Sequence, residues 1–362
     1  MALIFMDGCD DYSADNDILT KWDFVNPGEI TIGTSDGRFG GGCIKGVGAN
    51  SAMGFGKMFL DRVTGTTVTT DEFYLGFSFY YADTAGSDPH YIANFMSSNG
   101  IFNFRLETDN SDESLTVTRS DEYTYNGGRT ELGSSSASVL STGTWHWIEL
   151  RAVVSGTVGI IEVKVDGTQV INLTSQNNKE ALANADIAGV FFGTNREALN
   201  LNRYDDIVIW DSTGSEPTGF IGDSRIDTLR PNGAGDSSDS TPLSGNRHDN
   251  VDDAGLNDGD TTYVDQSTAA DLDLYDIDAF GRDPATVHAV AVNHSVKATS
   301  TEPREWKAMV KSGTTEGSGA TVWAGNSDYH SHQEFFLTNP DTAAAWTGAE
   351  IDDMQIGQEV VS

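Results

Sequence analysis

Few residue patterns in this chain could do chemistry, and spacing decides most of them. Retaining glycoside hydrolysis needs two carboxyl groups about 5 Å apart, which a strand supplies when acids recur along one face as in Glu-x-Asp-x-x-Glu. The nearest match is Glu350-Ile351-Asp352-Asp353-Met354-Gln355. Its last position is Gln, which cannot give up and recover a proton, so a double displacement fails there. Glu162-Val163-Lys164-Val165-Asp166 has the wrong spacing. Both read as solvated strand faces, and no catalytic residue is nominated. His330-Ser331-His332 is a His-x-His. On a strand its two imidazoles share a face, and a threefold axis would gather such pairs around a metal; the competing reading is a solvated turn. Gly54-Phe55-Gly56-Lys57-Met58 lacks both the first Gly and the final Ser/Thr of a phosphate-binding loop. Asp253 to Asp260 is acidic, but its spacing does not fit an EF-hand. Tyr123, Tyr125, Trp323 and Tyr329 sit among polar residues and could stack on sugar rings or be buried.

The elements that must carry these residues are strands. Apolar and polar residues alternate in Phe102–Leu106 and Leu115–Val117, and Phe73–Tyr80 is aromatic and β-prone. Trp145–Val153 and Gly159–Val165 read as paired strands, and Asp166-Gly167 then supplies a tight turn into Val170–Leu173. Leu3–Met6, Ile30–Ile32, Gly189–Gly193 and Tyr204–Trp210 complete the set. The best helical candidate, Asn178 to Asp186, is short and reads as a loop decoration. Gly is abundant at 39 residues, and turn residues punctuate the chain about every ten positions. After Trp210 the texture changes. We expect residues 1–215 to form one β-sandwich, 216–265 a linker and polar, partner-wrapping arm, and 266–362 a smaller β domain. Strand signals in the last lie at Leu272–Ile277, Thr286–Val296, Arg304–Lys311, Gln333–Thr338 and Ile351–Val360.

Composition bounds the partners. The chain has 362 residues, with 21 Lys plus Arg against 55 Asp plus Glu, a formal charge of −34. Such a surface repels phosphate backbones and anionic headgroups, so neither nucleic acid nor membrane is expected as a partner. Cys9 and Cys43 form no CxxC pair and read as small buried hydrophobes, with a disulfide between them left open. The N-terminus has no basic stretch ahead of its short apolar run, and no segment reaches the length of a membrane helix, so synthesis and assembly in a cytoplasm are expected.

The first 215 residues resemble the concanavalin A-like lectin/glucanase sandwich as it occurs in virion proteins of tailed bacteriophages. The resemblance is carried, in order, by Phe5-Met6-Asp7-Gly8-Cys9-Asp10-Asp11-Tyr12, Gly37-Arg38-Phe39-Gly40-Gly41-Gly42, the Trp145-His146-Trp147-Ile148-Glu149 strand, the Val165-Asp166-Gly167 turn and Tyr204-Asp205-Asp206-Ile207-Val208-Ile209-Trp210. Cys9 stands where the group usually carries Phe. Gly222-Asp223, Asn257–Thr261 and Ile356-Gly357 resemble, more loosely, C-terminal halves of phage minor structural proteins.

The resemblance implies an all-β jelly roll followed by a smaller β-sandwich. It also implies a structural Ca²⁺ held by Asp205 with carbonyls from around Gly8–Asp11 and Gly40–Gly42; the plain reading is that Asp205 ends a turn or pairs with Arg203. The function expected is a non-enzymatic part of a phage particle, either capsid decoration or tail adsorption protein. It would be assembled in the host cytoplasm, be homo-oligomeric, contact other virion proteins and touch host-surface glycans. The alternatives are a stand-alone carbohydrate-binding module and a glycan depolymerase.

Overall fold

The strongest alternation in the chain becomes the centre of a sandwich. Phe73, Leu75, Phe77, Phe79 and Tyr81 are buried in the core. Tyr74, Gly76, Ser78 and Tyr80 take the opposite face, because successive strand side chains point to opposite sides. The structure, a computed structural model, describes residues 3–26, 28–46, 54–59, 67, 69–82, 90–109, 111–120, 128–193, 202–214, 217–253, 255, 257–299, 304–324 and 328–362. The chain divides into two units, Ile226 ending the first and Asp227 opening the second. Tyr123 and Tyr125 lie outside the described residues.

The first unit contains β1 (Leu3–Asp7), β2 (Phe24–Val25), β3 (Ile30–Gly33), β4 (Cys43–Gly46), β5 (Phe55–Met58), β6 (Glu72–Tyr81), β7 (His90–Met96) and β8 (Phe102–Asp109). It continues with β9 (Ser114–Ser120), β10 (Arg129–Ser134), β11 (Thr144–Val153), β12 (Gly159–Val165), β13 (Thr168–Gln176), β14 (Gly189–Phe192) and β15 (Arg203–Asp211). Among the described residues one layer has eight strands in the order β13-β12-β11-β6-β15-β4-β3, with β1 also on β15; the other has seven, β10-β9-β8-β7-β14-β5-β2. The neighbours pair antiparallel. Aromatic rings fill the space between the layers: Phe55 stacks on Phe192 at 4.9 Å, Trp22 meets Phe5 and Phe55 edge-on at 4.8 Å each, and Phe95 stacks on Phe104 at 4.5 Å. Each fully buried ring of this kind stabilises the fold by about 1.5–3 kcal/mol.

Two local features decide where functional groups point. Asp166 and Gly167 both take positive φ, 50° and 77°, the conformation a two-residue hairpin loop needs, and Val165 pairs with Thr168. In β15 the register against β6 slips between Asp205 and Val208, and Asp206 has φ 49°. This bulge inserts one residue. Tyr204, Ile207 and Ile209 therefore face the core while Asp205 and Asp206 are both turned away from it. Residues 178–186, the expected loop decoration, contain no helix.

The second unit contains β16 (Pro231–Ser238), β17 (Thr241–Pro242), β18 (Val264–Asp265), β19 (Leu272–Ile277), β20 (Val290–Val296), β21 (Arg304–Ser312), β22 (Thr315–Ser318), β23 (Val322–Ala324), β24 (His330–Phe336), helix α1 (Gly348–Asp352) and β25 (Gln355–Val360). A six-stranded sheet, β16-β19-β25-β21-β22 with β23 on β21, packs through Trp306, Ala308 and Val310 against Val290 and Val292 of the β20–β24 pair. Among the described residues strands dominate both units, and the fold class is all-β.

The stretch 216–265 departs from the expected linker and arm. Residues 217–226 belong to the first unit, and Pro231–Ser238 is an edge strand of the second unit's sheet. Pro-Asn-Gly-Ala-Gly-Asp-Ser-Ser has little side chain to bury, so its pairing rests on backbone hydrogen bonds and leaves no apolar period in the sequence. The run Ile351–Val360 also divides: Ile351 and Asp352 end α1, whose first turn is capped by Thr347 and Glu350 in a reciprocal box.

Candidate functional site

The bulge in β15 places Asp205 against two loops. Asp205 Oδ2 accepts the Arg38 N–H at 2.8 Å, and Oδ1 accepts the Asp206 N–H at 2.8 Å. The Gly37–Gly42 loop is glycine-rich because oxygen atoms crowd it. A Cβ on Gly37 would lie 2.2 Å from the Gly42 carbonyl oxygen, 2.8 Å from that of Gly41 and 2.9 Å from Asp205 Oδ2. A Cβ on Gly42 would lie 2.0 Å from the Cys9 carbonyl oxygen, and one on Gly41 1.8 Å from Asp10 Oδ1. Asp10 Oδ1 also accepts the Gly42 N–H at 2.7 Å.

The turn that presents Cys9 and Asp10 is locked from beneath. Buried Asp7 accepts from the Tyr12 hydroxyl at 2.5 Å, the Trp22 indole at 2.7 Å, Lys21 Nζ at 3.0 Å and the Cys9 N–H at 3.0 Å. Cys9 itself sits at φ 57° in this turn and not on a strand. It and Cys43 are buried free thiols.

Carboxylates of Asp10 and Asp205 and carbonyls of Cys9, Gly41 and Gly42 thus gather in one place. Asp205 and Asp206 are 4% and 2% exposed. Burial, with mutual repulsion and that of Asp10, pushes Asp205 up to about 8; burial above all pushes Asp206 up to about 6. An all-oxygen donor set of carboxylates and carbonyls is what a hard cation such as Ca²⁺ takes, so the residues fit the ion the sequence resemblance implied. Asp205 does not pair with Arg203, which lies against Asp36 and over the Tyr80 ring. Asp206 serves the backbone: its Oδ1 accepts the Ile226 N–H at 2.8 Å and its Oδ2 the Ser78 hydroxyl at 3.0 Å.

The other candidates separate. His332 lies directly opposite His294 in the β20–β24 pair, with its Nε2 3.3 Å from Glu334 and its ring edge-on to Trp306 at 5.4 Å. His330, two residues earlier, is exposed. Among the described residues no group of three or more His, Cys, Asp or Glu side chains is placed to hold a metal. Glu350 caps α1, and Asp352 accepts the N–H groups of Phe280 and Gly281 at 2.6 and 3.0 Å. The Glu350–Gln355 run therefore crosses a helix, a turn and a strand start, and does not line one strand face. Glu162 pairs with Arg151, which also holds Glu72, on the outer face of the eight-stranded sheet. His146 lies 2.7 Å from Asp166, yet its Nε2 accepts the backbone N–H of Ser141 at 2.8 Å, a structural tether and not a nucleophile's base. Trp323 is exposed, whereas Tyr329 bonds the Gly259 carbonyl at 2.7 Å.

Sequence reasoning missed a polar cluster on the face of the seven-stranded sheet turned away from the core. Asn94, Arg105, Glu107, Thr118 and Ser120 are each at most 3% exposed. Arg105 donates to Ser120 at 3.1 Å and lies over the Tyr91 ring at 5.0 Å. Glu107 accepts from Thr118 at 2.7 Å and faces Arg129 at 3.3 Å; burial raises its pKa against these partners. Alternation of Asn94, Arg105-x-Glu107 and Thr118-x-Ser120 was the available signal, but polar alternation reads as a solvated face.

The fold and this geometry define a two-layered antiparallel β-sandwich with a cluster of oxygen donors where the β15 bulge meets two loops, followed by a second, smaller β unit. No family model matches the sequence, and no curated protein does. Among solved structures, the chain is similar to an endo-β-1,4-glucuronan lyase from the fungus Trichoderma reesei (15% identity, 58% of this chain and 95% of that one, TM-score 0.39). It is also similar to the alginate lyase Aly36B (12%, 58% and 96%, TM-score 0.39) and to the carbohydrate-binding module CBM66 from Bacillus subtilis (9%, 46% and 86%, TM-score 0.31). At such identities none of them carries an activity or a ligand over to this chain.

Proposed function

We propose that the chain is a non-catalytic structural component of a tailed-phage particle, whose sandwich holds one Ca²⁺ and offers a contact surface to host glycans. The observation that carries the non-catalytic reading is what four of the sandwich's buried carboxylates are bound to. Asp7 takes four donors, Glu149 takes two backbone N–H groups, Asp206 takes a backbone N–H and a hydroxyl, and Glu107 is met by Thr118 and Arg129. A general acid must lose and regain its proton during turnover, whereas groups so engaged hold the fold. The glycan reading rests on the lectin-like sequence resemblance of the first 215 residues, because Asn94 and Arg105, each 1% exposed, are closed to a sugar. The particle reading rests on the ordered sequence resemblance of the first 215 residues. Ca²⁺ would be held by Asp205 and Asp10 with the carbonyls of Cys9, Gly41 and Gly42, and would supply the positive charge that ties three chain segments together.

Labelled antibody against the chain, imaged on purified particles by electron microscopy, tests the proposal. Decoration of capsid or tail is expected. A protein found only in the soluble lysate refutes the particle role, and sugar release that vanishes on mutating one carboxylate refutes the non-catalytic one. A stand-alone carbohydrate-binding module would bind a glycan array equally well and leave particles unlabelled.

A further inference from the structure

After β15 the chain turns back across the outer face of the eight-stranded sheet as a strap, residues 218–226. Its first half lies on aromatic residues. Tyr74 and Trp210 stack at 5.4 Å, Phe220 meets Tyr74 edge-on at 5.8 Å, and Lys164 Nζ lies 4.0 Å over the Phe220 ring. The Trp210 indole donates to the Gly219 carbonyl at 3.0 Å, and Glu149 Oε1 accepts the N–H groups of Ile221 and Gly222 at 2.8 and 3.0 Å.

Its second half lies on the cation cluster. Arg38, whose N–H binds Asp205, grips Asp223 through two parallel bonds of 2.6 and 2.7 Å. Phe39 of the same loop is flanked by the guanidinium groups of Arg38 and, from the strap, Arg225 at 4.9 and 4.2 Å. The Ile226 N–H binds Asp206, and a Cβ on Gly8 would lie 2.8 Å from the Ile226 carbonyl oxygen. All three segments of the cluster, Gly8–Asp10, Gly37–Gly42 and Asp205–Asp206, therefore also touch the strap.

We infer that cation binding at the Asp205 cluster and docking of the 218–226 strap are one coupled equilibrium, so that the ion acts as a clasp for the strap. The inference rests on the Ca²⁺ reading above. The physical ground is linkage: an ion that draws the Gly37–Gly42 loop and the Cys9–Asp10 turn toward Asp205 fixes the surface on which Asp223, Arg225 and Ile226 sit. Docking of the strap must then favour the ion by the same factor. The strap is the part of the unit where such coupling is visible, because it adds no strand and is held by individual side-chain ties, the kind of segment that opens before the sheets do.

Amide hydrogen exchange of the full chain, measured in Ca²⁺ and in EDTA, reads the coupling at Ile221, Gly222 and Ile226. Terbium luminescence and calorimetry measure ion binding separately. Expected is ion binding that Asp205→Asn abolishes, and exchange at the three strap amides slowed roughly tenfold by Ca²⁺, within the usual range of coupling between sites. Phe220→Ala, far from the ion and outside its ligands, should weaken Ca²⁺ binding by a comparable factor. Ion binding that leaves strap exchange unchanged, or that Phe220→Ala leaves intact, overturns the clasp and spares the Ca²⁺ reading. No ion binding by the intact chain overturns both.

Discussion

Acid should unsettle the second unit through His294. The imidazole lies 4.8 Å from Trp306 and opposite His332; its Nε2 donates to the Gly357 carbonyl at 3.0 Å, and its Nδ1 is buried without a hydrogen-bond partner. Burial, joined by repulsion from His332, pulls its pKa from 6.5 down to about 4, against the pull of the Gly357 carbonyl and of Glu334. Between those values the unfolded chain binds a proton that the folded chain refuses, so the contribution to stability is complete above pH ~6.5 and shrinks as pH falls toward ~4. At about 1.36 kcal/mol per pKa unit, going from pH 7 to 4.5 costs at most about 2.5 kcal/mol. The assay is urea unfolding of wild type and His294→Gln at both pH values, with the histidine ring protons followed by NMR. His294→Gln, which can still donate to Gly357, should lose less stability on acidification than wild type by about that amount. A His294 ring that titrates near 6.5, or equal acid sensitivity in the two proteins, refutes the reasoning.

Other outcomes follow from the same geometry. Free Ca²⁺ at one hundred times its Kd should stabilise the first unit by about 2.7 kcal/mol, a rise of roughly 5–10 °C in its calorimetric transition that Asp205→Asn abolishes. Gly37→Ala should remove the response to Ca²⁺ and lower stability even without it, since its methyl group would meet the Gly42 carbonyl at 2.2 Å; an unchanged thermogram contradicts the crowding argument. Phe192→Ala, opening the ring stack with Phe55 in the core, should cost about 3–5 kcal/mol in urea titration. Gly167→Val should destabilise the β12–β13 hairpin, because a β-branched residue resists φ 77°, whereas Gly167→Asn should be tolerated.

What could be seen in the sequence was decided by how much side chain each element buries. The runs that became β6, β11 and β12 alternate because one face of each fills the core, and the Asp166-Gly167 turn was legible because few residues accept two successive positive φ values. The short strand Phe55–Met58 failed that test: Gly56 is there to let the Phe191 ring lie across the backbone, where a Cβ would come within 2.3 Å, and a glycine inside four residues looks like a turn. Pro231–Ser238 failed it for the same reason at a sheet edge.

The candidate site divides along a similar line. Asp205 was reached through the resemblance of its strand, but its neighbour's role was hidden, because strict alternation along Tyr204–Trp210 would send Asp206 to the core beside Tyr204. Only the bulge, which carries no composition signal of its own beyond an Asp that tolerates positive φ, turns both acids outward. The strap was hidden for a different reason. Gly219-Phe220-Ile221-Gly222-Asp223 reads as a linker because its partners, Glu149, Trp210, Tyr74 and Arg38, are scattered through the chain. Tertiary placement alone assigns these hydrogen bonds, and the residues that look least structured in the sequence are those that bind the outer sheet face to the Asp205 cluster.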